Sequence, residues 1–448
     1  MKEFIKYGED KGAEYVELKS ASTIKNIIEL QNKHVKEISS SQMKYYSVRV
    51  LYNGAFGTAY SNEQEYKELI DKAIKSASLV KKDLRLSNIP NIKNKIKTSY
   101  KKDLSAIGLE EKKNKLLELT KLMKEYPKIN SLKLVQSDLL ENYKLINSHG
   151  AELEWNDSFI KFLAYAFSQE GNRLESYPEV KRGHYGYELM DEAEKITRKA
   201  LEYSQKLLNA KLAKAGNFPV ILDQKLGGVF THEAIGHATE ADAVINGETV
   251  LKNKLNQLIA SSNVTILDDG TLKTNGWVPF DDDGNKSQKN VLIKKGVLNK
   301  YLQSLETSSI LGVKPTGNGR AQSIANVIIP RMTTTYIAKG DSSFEEIIKT
   351  IKEGYYLIGS MGGQVDTSKG EFLFNAKHGY HVVNGEIKEL VKGVSLTGNI
   401  LDIMPKISLV AKDLEFGSGL CGKCSQTVPV SEGAPHFKID IARVGGQE

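Results

Sequence analysis

The hydrophobic pattern of this chain changes character at Ala215-Gly216-Asn217-Phe218-Pro219, and that change limits what it can fold into. Before it, strand-like and helix-like stretches alternate. After it, the sequence turns rich in glycine and in hairpin signals. A chain of 448 residues is also too long for one ordinary domain. The expectation is an α+β protein with two domains. Residues 1–213 form an N-terminal domain of antiparallel strands with packing helices. Residues 214–448 form a mainly antiparallel β domain with few helices.

In the first half, residues 44–51 are β-branched and aromatic, and Asn53-Gly54 offers the positive φ values of a tight hairpin turn. A strand over 55–60 completes that hairpin. Asn62 with Glu65 reads as a capping box, and Leu69, Ile70, Ala73, Ile74, Ala77 and Val80 follow at helical spacing. The lysine-rich stretch 93–102 reads as a solvated connection. A second helix is expected over 109–126, ended by Pro127. Strands flank Asn147-Ser148-His149-Gly150, and a long helix spans 191–213. In the second half, hairpins are expected over 291–298 and 381–387. Ser342 with Glu345 reads as the capping box of a short helix that Gly354 would stop.

Composition narrows the class. Hydrophobic residues are 40% and charged residues 26% of the chain, the balance of a globular protein. The net charge of +7 is spread along the sequence, so a nucleic-acid partner is not expected. No apolar run reaches the roughly 18 residues of a membrane helix, and no targeting signal is recognisable at the start. The two cysteines, Cys421 and Cys424, cannot staple a large fold, which suggests a reducing, cytoplasmic setting.

The chemistry-bearing stretch is His232-Glu233-Ala234-Ile235-Gly236-His237, in a helix that Asp223 could cap. Two neutral imidazoles can bind a metal, and a carboxylate beside them can take a proton from water. Histidines four apart lie about 40° apart on an α-helix, but these are five apart, or about 140°. The helix must therefore be locally overlong, as in a π-turn, or break between them. Gly236 is where such distortion costs least. A third ligand is needed. Glu240 and Asp242 are near in sequence; Cys421, Cys424, His378 and His381 are remote.

Other motifs carry less. Gly417-Ser418-Gly419-Leu420-Cys421-Gly422 has the glycine spacing of a dinucleotide loop, but no periodic helix follows it. Gly317-Asn318-Gly319-Arg320 lacks a phosphate-binding lysine. Asp281-Asp282-Asp283-Gly284 lacks the last glutamate of a calcium loop and reads as a turn.

With these residues in view, the chain resembles the TldD/PmbA family, and within it the metal-binding TldD branch. The histidine motif fits that family's HExxxH signature. Agreement continues through Lys314-Pro315-Thr316-Gly317-Asn318-Gly319-Arg320, Pro330-Arg331-Met332-Thr333 and Gly362-Gly363-Gln364-Val365-Asp366. Phe374-Asn375, Gly398-Asn399 and Cys421-Gly422-Lys423 complete it. The resemblance implies a zinc-dependent peptidase acting on peptides and unfolded proteins. His232, His237 and Cys421 would hold the Zn2+, and Glu233 would be the general base. It also implies a two-subunit assembly, either a homodimer or a heterodimer with a PmbA-type subunit. No substrate-binding residue is identified.

Two other readings belong to different classes. One is a peptide-binding or chaperone-like module in which zinc is structural, marked by a full protein ligand set. The other is a regulator of a DNA enzyme, suggested by the family's older description as a modulator of DNA gyrase. It would show as strongly salt-dependent binding to duplex DNA.

Overall fold

A computed structural model of the chain describes residues 1–446. Its first half is built on one sheet. Helix α1 (Lys2–Asp10) leads into β1 (Tyr15–Gln31), β2 (His34–Tyr52) and β3 (Ala55–Ser61), followed by α2 (Tyr66–Ser78). Then come β4 (Lys93–Lys97), α3 (Leu109–Thr120), β5 (Ile129–Asn147), β6 (Glu152–Glu170), β7 (Arg173–Gly183) and α4 (Ala193–Leu207). The strand order is β3-β2-β1-β5-β6-β4, and β7 also pairs with β6. Asn53 and Gly54 turn the β2–β3 hairpin at φ values of 49° and 69°, as their identity requires.

Local expectations shift in instructive ways. The proposed Asn62 and Glu65 capping box is absent, because the Ser61 hydroxyl already accepts the Glu63 amide in the turn leaving β3. Glu65 is the N-cap of α2, without a side-chain capping bond. The lysine-rich stretch contains a true strand, β4, which pairs in parallel with residues 152–156 of β6. Its charged side chains suit a sheet edge. The helix expected over 109–126 is α3 and then a 3-10 turn, Lys121–Glu125. The helix expected over 191–213 stops at Leu207, since Lys211–Leu212 leaves to pair with strand Glu386–Lys392.

The second half holds two larger sheets. One surrounds strand Ile266–Asp269; the other runs through Gly216–Leu222, Glu353–Asp366, Glu371–Val383 and Phe437–Gly446. Most pairings are antiparallel, with short parallel exceptions such as Tyr355–Leu357 beside Val220–Leu222. The hairpins at Lys295-Gly296 and Asn384-Gly385 form as expected, with positive φ at all four residues. The late helix is Phe344–Lys349, capped reciprocally by Ser343 and Glu346, one residue beyond the expected pair. Ser342 cannot serve, because its backbone is bonded to Val410 and Lys412. Gly354 lies inside strand Glu353–Asp366 rather than stopping the helix.

Buried charges tie the two halves together. Nη2 of Arg49 lies 3.0 Å from Glu17 and 2.7 Å from Asp283, and all three side chains are buried. Lys19 donates to the Asp282 carbonyl at 2.5 Å. The acidic run is a turn, with Gly284 at φ 84° and Asp281 accepting the amides of Asp283 and Asn285. No helix among the described residues is long and apolar enough to cross a membrane.

Candidate metal centre

The site begins with helix α5 (Gln224–Thr231). Asp223 caps it by accepting the Leu226 amide at 2.8 Å and also accepts the Gly359 amide at 3.0 Å. Gly227 and Gly228 let α5 press against its neighbours. A Cβ on the first would meet the Phe437 ring at 2.6 Å, and one on the second the Glu432 backbone at 2.9 Å. Leu226, Phe230 and Ile235 are fully buried in the main core. Each contributes roughly 1.5–3 kcal/mol. That anchoring holds an irregular segment in place.

The irregularity is a π-turn at His232–Gly236, closed by a bond from the His237 amide to the His232 carbonyl five residues back. The overlong turn puts residues five apart on one face, as the spacing demanded. The two imidazole rings stand 5.1 Å apart at 85°. Gly236 itself has ordinary helical angles, φ −53° and ψ −61°. Its lack of a side chain serves packing instead, since a Cβ there would overlap the sulfur of buried Met332.

Cys421 arrives on strand Gly419–Lys423, paired with Gln426–Ala434. Its Sγ lies 3.4 Å from Nε2 of His237. One ligand atom each from His232, His237 and Cys421 falls within 4.8 Å of the others, the one such group among the described residues. A tetrahedral zinc with ordinary Zn–N and Zn–S bonds would separate those atoms by about 3.6 Å. The donor set and spacing therefore fit zinc. Buried Nδ1 of His232 has no hydrogen-bond partner. Glu233 Oε2 lies 3.8 Å from His237 Nε2, and its side chain keeps 19% exposure, so solvent reaches it.

Electrostatics suit these groups to hold a metal. Burial alone would raise the Cys421 thiol, but His232 and His237 pull it down to about 4, favouring thiolate. Burial alone would lower His237, but Glu240 and Cys421 outweigh it and hold the imidazole well above its usual value. Burial raises the Glu233 carboxyl, against the lowering pull of both histidines.

Sequence reasoning missed the role of Glu240. It was weighed as a ligand, yet its Oε2 accepts from Nδ1 of His237 at 3.0 Å and leaves Nε2 facing Cys421. This is the orienting carboxylate that metal-bound histidines usually have. Lys423 supports Glu240 at 3.0 Å and binds Asp242 at 2.7 Å. Burial would raise Glu240, but His237 and Lys423 bring it down to about 2. Buried Arg331 donates to the Cys421 carbonyl at 2.5 Å. The three-residue step from His237 to Glu240, the step to the next turn of a helix, was the available signal.

The remaining candidates lie elsewhere. Asp242 is held by Lys423, and exposed Cys424 forms the hairpin turn at φ 49°. His378 packs among Tyr177, Tyr203 and Tyr380, and His381 faces Glu353. The Gly417–Gly422 stretch is strand and connection, not a phosphate loop. Asn318 bonds Asp268 and the Arg331 carbonyl.

Comparison with known proteins gives the family. Models of the PmbA/TldA metallopeptidase match residues 17–77 (domain 1), 102–208 (central domain) and 215–446 (C-terminal domain). The chain belongs to the TldD/PmbA family. Family members with curated names include a metalloprotease of Methanothermobacter thermautotrophicus, 34% identical over 97% of this chain and 96% of its own. A zinc metalloprotease TldD homolog of Saccharolobus solfataricus is 31% identical over the full length of both chains. The solved structure of TldE from Thermococcus kodakarensis superposes with a TM-score of 0.81 over all of both chains, at 20% identity, and so shares the α+β fold.

Proposed function

We propose that this chain is a zinc-dependent peptidase that hydrolyses peptide bonds in peptides and unfolded proteins. The observation that carries this reading is the grouping of His232, His237 and Cys421 ligand atoms within 4.8 Å, with Glu233 beside them. Three protein ligands leave a fourth position open, the mark of a catalytic rather than a structural zinc. Zinc held there supplies Lewis-acid polarisation of water and of a substrate carbonyl.

The chain's own groups do the rest. Glu233 takes a proton from the attacking water and delivers it to the leaving amine nitrogen as the C–N bond breaks. Glu240 fixes the ring and tautomer of His237. Arg331 pins the backbone at Cys421. Family membership supports a two-subunit assembly, with a second copy or a PmbA-type subunit. The two free thiols support a reducing, cytoplasmic setting.

The test is cleavage of an unfolded protein by the purified chain, before and after a chelator and then with zinc restored. Cleavage should vanish with the metal and return with zinc. Cleavage indifferent to the chelator would overturn the reading.

A further inference from the structure

A cavity of about 810 Å³ opens where β7 and α4 of the first half meet α5 and strands of the second. It holds none of the three metal-site ligands. Its wall does include Val229, one turn before His232 on α5, and Glu432, on the strand that packs against α5. The cavity therefore flanks the metal centre across a shared helix.

Its lining is basic: seven cationic side chains face four acidic ones. Lys181 is paired with Glu192, but the other cations share few carboxylates. Lys225 and Lys377 both lie 2.6 Å from the single carboxylate of Glu179, with Lys199 at 3.3 Å. Lys195 and Lys273 are exposed and make no ion pair among the described residues, Lys273 lying over the Trp277 ring, and Glu432 is the carboxylate facing Arg182. Nε of Arg182 is buried without any hydrogen-bond partner. Burial lowers the Arg182 guanidinium with Glu432 opposing it, so a carboxylate brought to the cavity wall would gain from its charge. Between the charges stand two exposed apolar side chains, Met361 and Phe416.

We propose that this cavity binds an acidic segment of the peptide substrate, so that the site selects chains carrying Asp or Glu near the cleaved bond. The inference rests on the peptidase reading and adds the substrate class. A volume of this order suits a few residues of extended chain.

Binding separates this claim from catalysis. Fluorescence anisotropy would follow labelled acidic, neutral and basic peptides of one length on the zinc-loaded Glu233→Gln protein. The acidic peptide should bind most tightly, with a preference that shrinks as salt rises. The double substitution Lys195→Glu with Lys273→Glu, at two exposed positions, should reduce that preference about fivefold or more. Equal binding of the three peptides would overturn the proposal. So would a preference that survives the double substitution, or displacement of the peptide by an oligonucleotide at lower concentration. If the acidic preference holds while the wild type cleaves nothing, the peptidase reading fails and the cavity is an acidic-peptide binding site without a role in cleavage.

Discussion

Sγ of Cys421 lies 3.4 Å from Nε2 of His237, across 184 residues of chain. Cys424, three residues on, sits exposed in the hairpin turn. Cys421→Ala should therefore lose zinc, and Cys424→Ala should keep one equivalent. Metal analysis of the two purified proteins checks this. Retention by the first and loss by the second would move the third ligand.

On the zinc reading, Glu240 would act on the metal through His237, which it contacts at 3.0 Å. Glu240→Gln keeps the shape but removes the charge that holds Nδ1–H and Lys423. Zinc affinity should fall roughly 10–100-fold, the usual cost of losing such a partner. Competition with a chromogenic chelator measures it. Unchanged affinity would mean that the 3.0 Å contact has no orienting role.

Gly236 tests the packing around the π-turn. Replacing a helical glycine with alanine normally gains up to about 1 kcal/mol. Here the added methyl would run into the sulfur of Met332, which is fully buried. Overpacking of that kind costs about 1–3 kcal/mol, so the crowding should win. Gly236→Ala should lower the denaturation midpoint and loosen zinc together. A stabilised variant would contradict the account.

The centre was partly legible from sequence. The five-residue gap between His232 and His237 demanded an overlong turn, and a π-turn is what forms. Hairpins at Asn53-Gly54, Lys295-Gly296 and Asn384-Gly385 were legible because positive φ restricts the residue types. Cys421 was not readable from spacing, since only the pairing of its strand with Gln426–Ala434 brings it to the helix. The resemblance supplied it. The helix cap missed by one residue, at Ser343 rather than Ser342, because distant backbone bonds to Val410 and Lys412 claim Ser342. The edge strand β4 was missed because its exposed lysines carry no apolar alternation.

Glu179 should shape the acid limb of stability. Burial would raise its carboxyl, yet Lys377, Lys225 and Lys199 bring it from 4.5 to about 2. A carboxylate lowered on folding stabilises above its unfolded value, and that contribution is lost as pH falls through the folded one. Burial and the other two lysines lower Lys377 as well, but a lysine keeps its proton throughout this acid range and does not alter the difference. Wild type should thus lose roughly 2–3 kcal/mol between pH about 5 and 2 that Glu179→Gln does not lose. Urea unfolding at pH 6 and pH 3 compares them. Parallel curves would remove Glu179 from the acid response.

The most direct test of the central claim is digestion of an unfolded protein by the zinc-loaded wild type beside Glu233→Gln. Both proteins should hold zinc, since His232, His237 and Cys421 are intact in each. Only the wild type should cut, with loss of at least 100-fold in the variant. Equal cleavage by both would show that Glu233 is not the general base and would place the chemistry elsewhere.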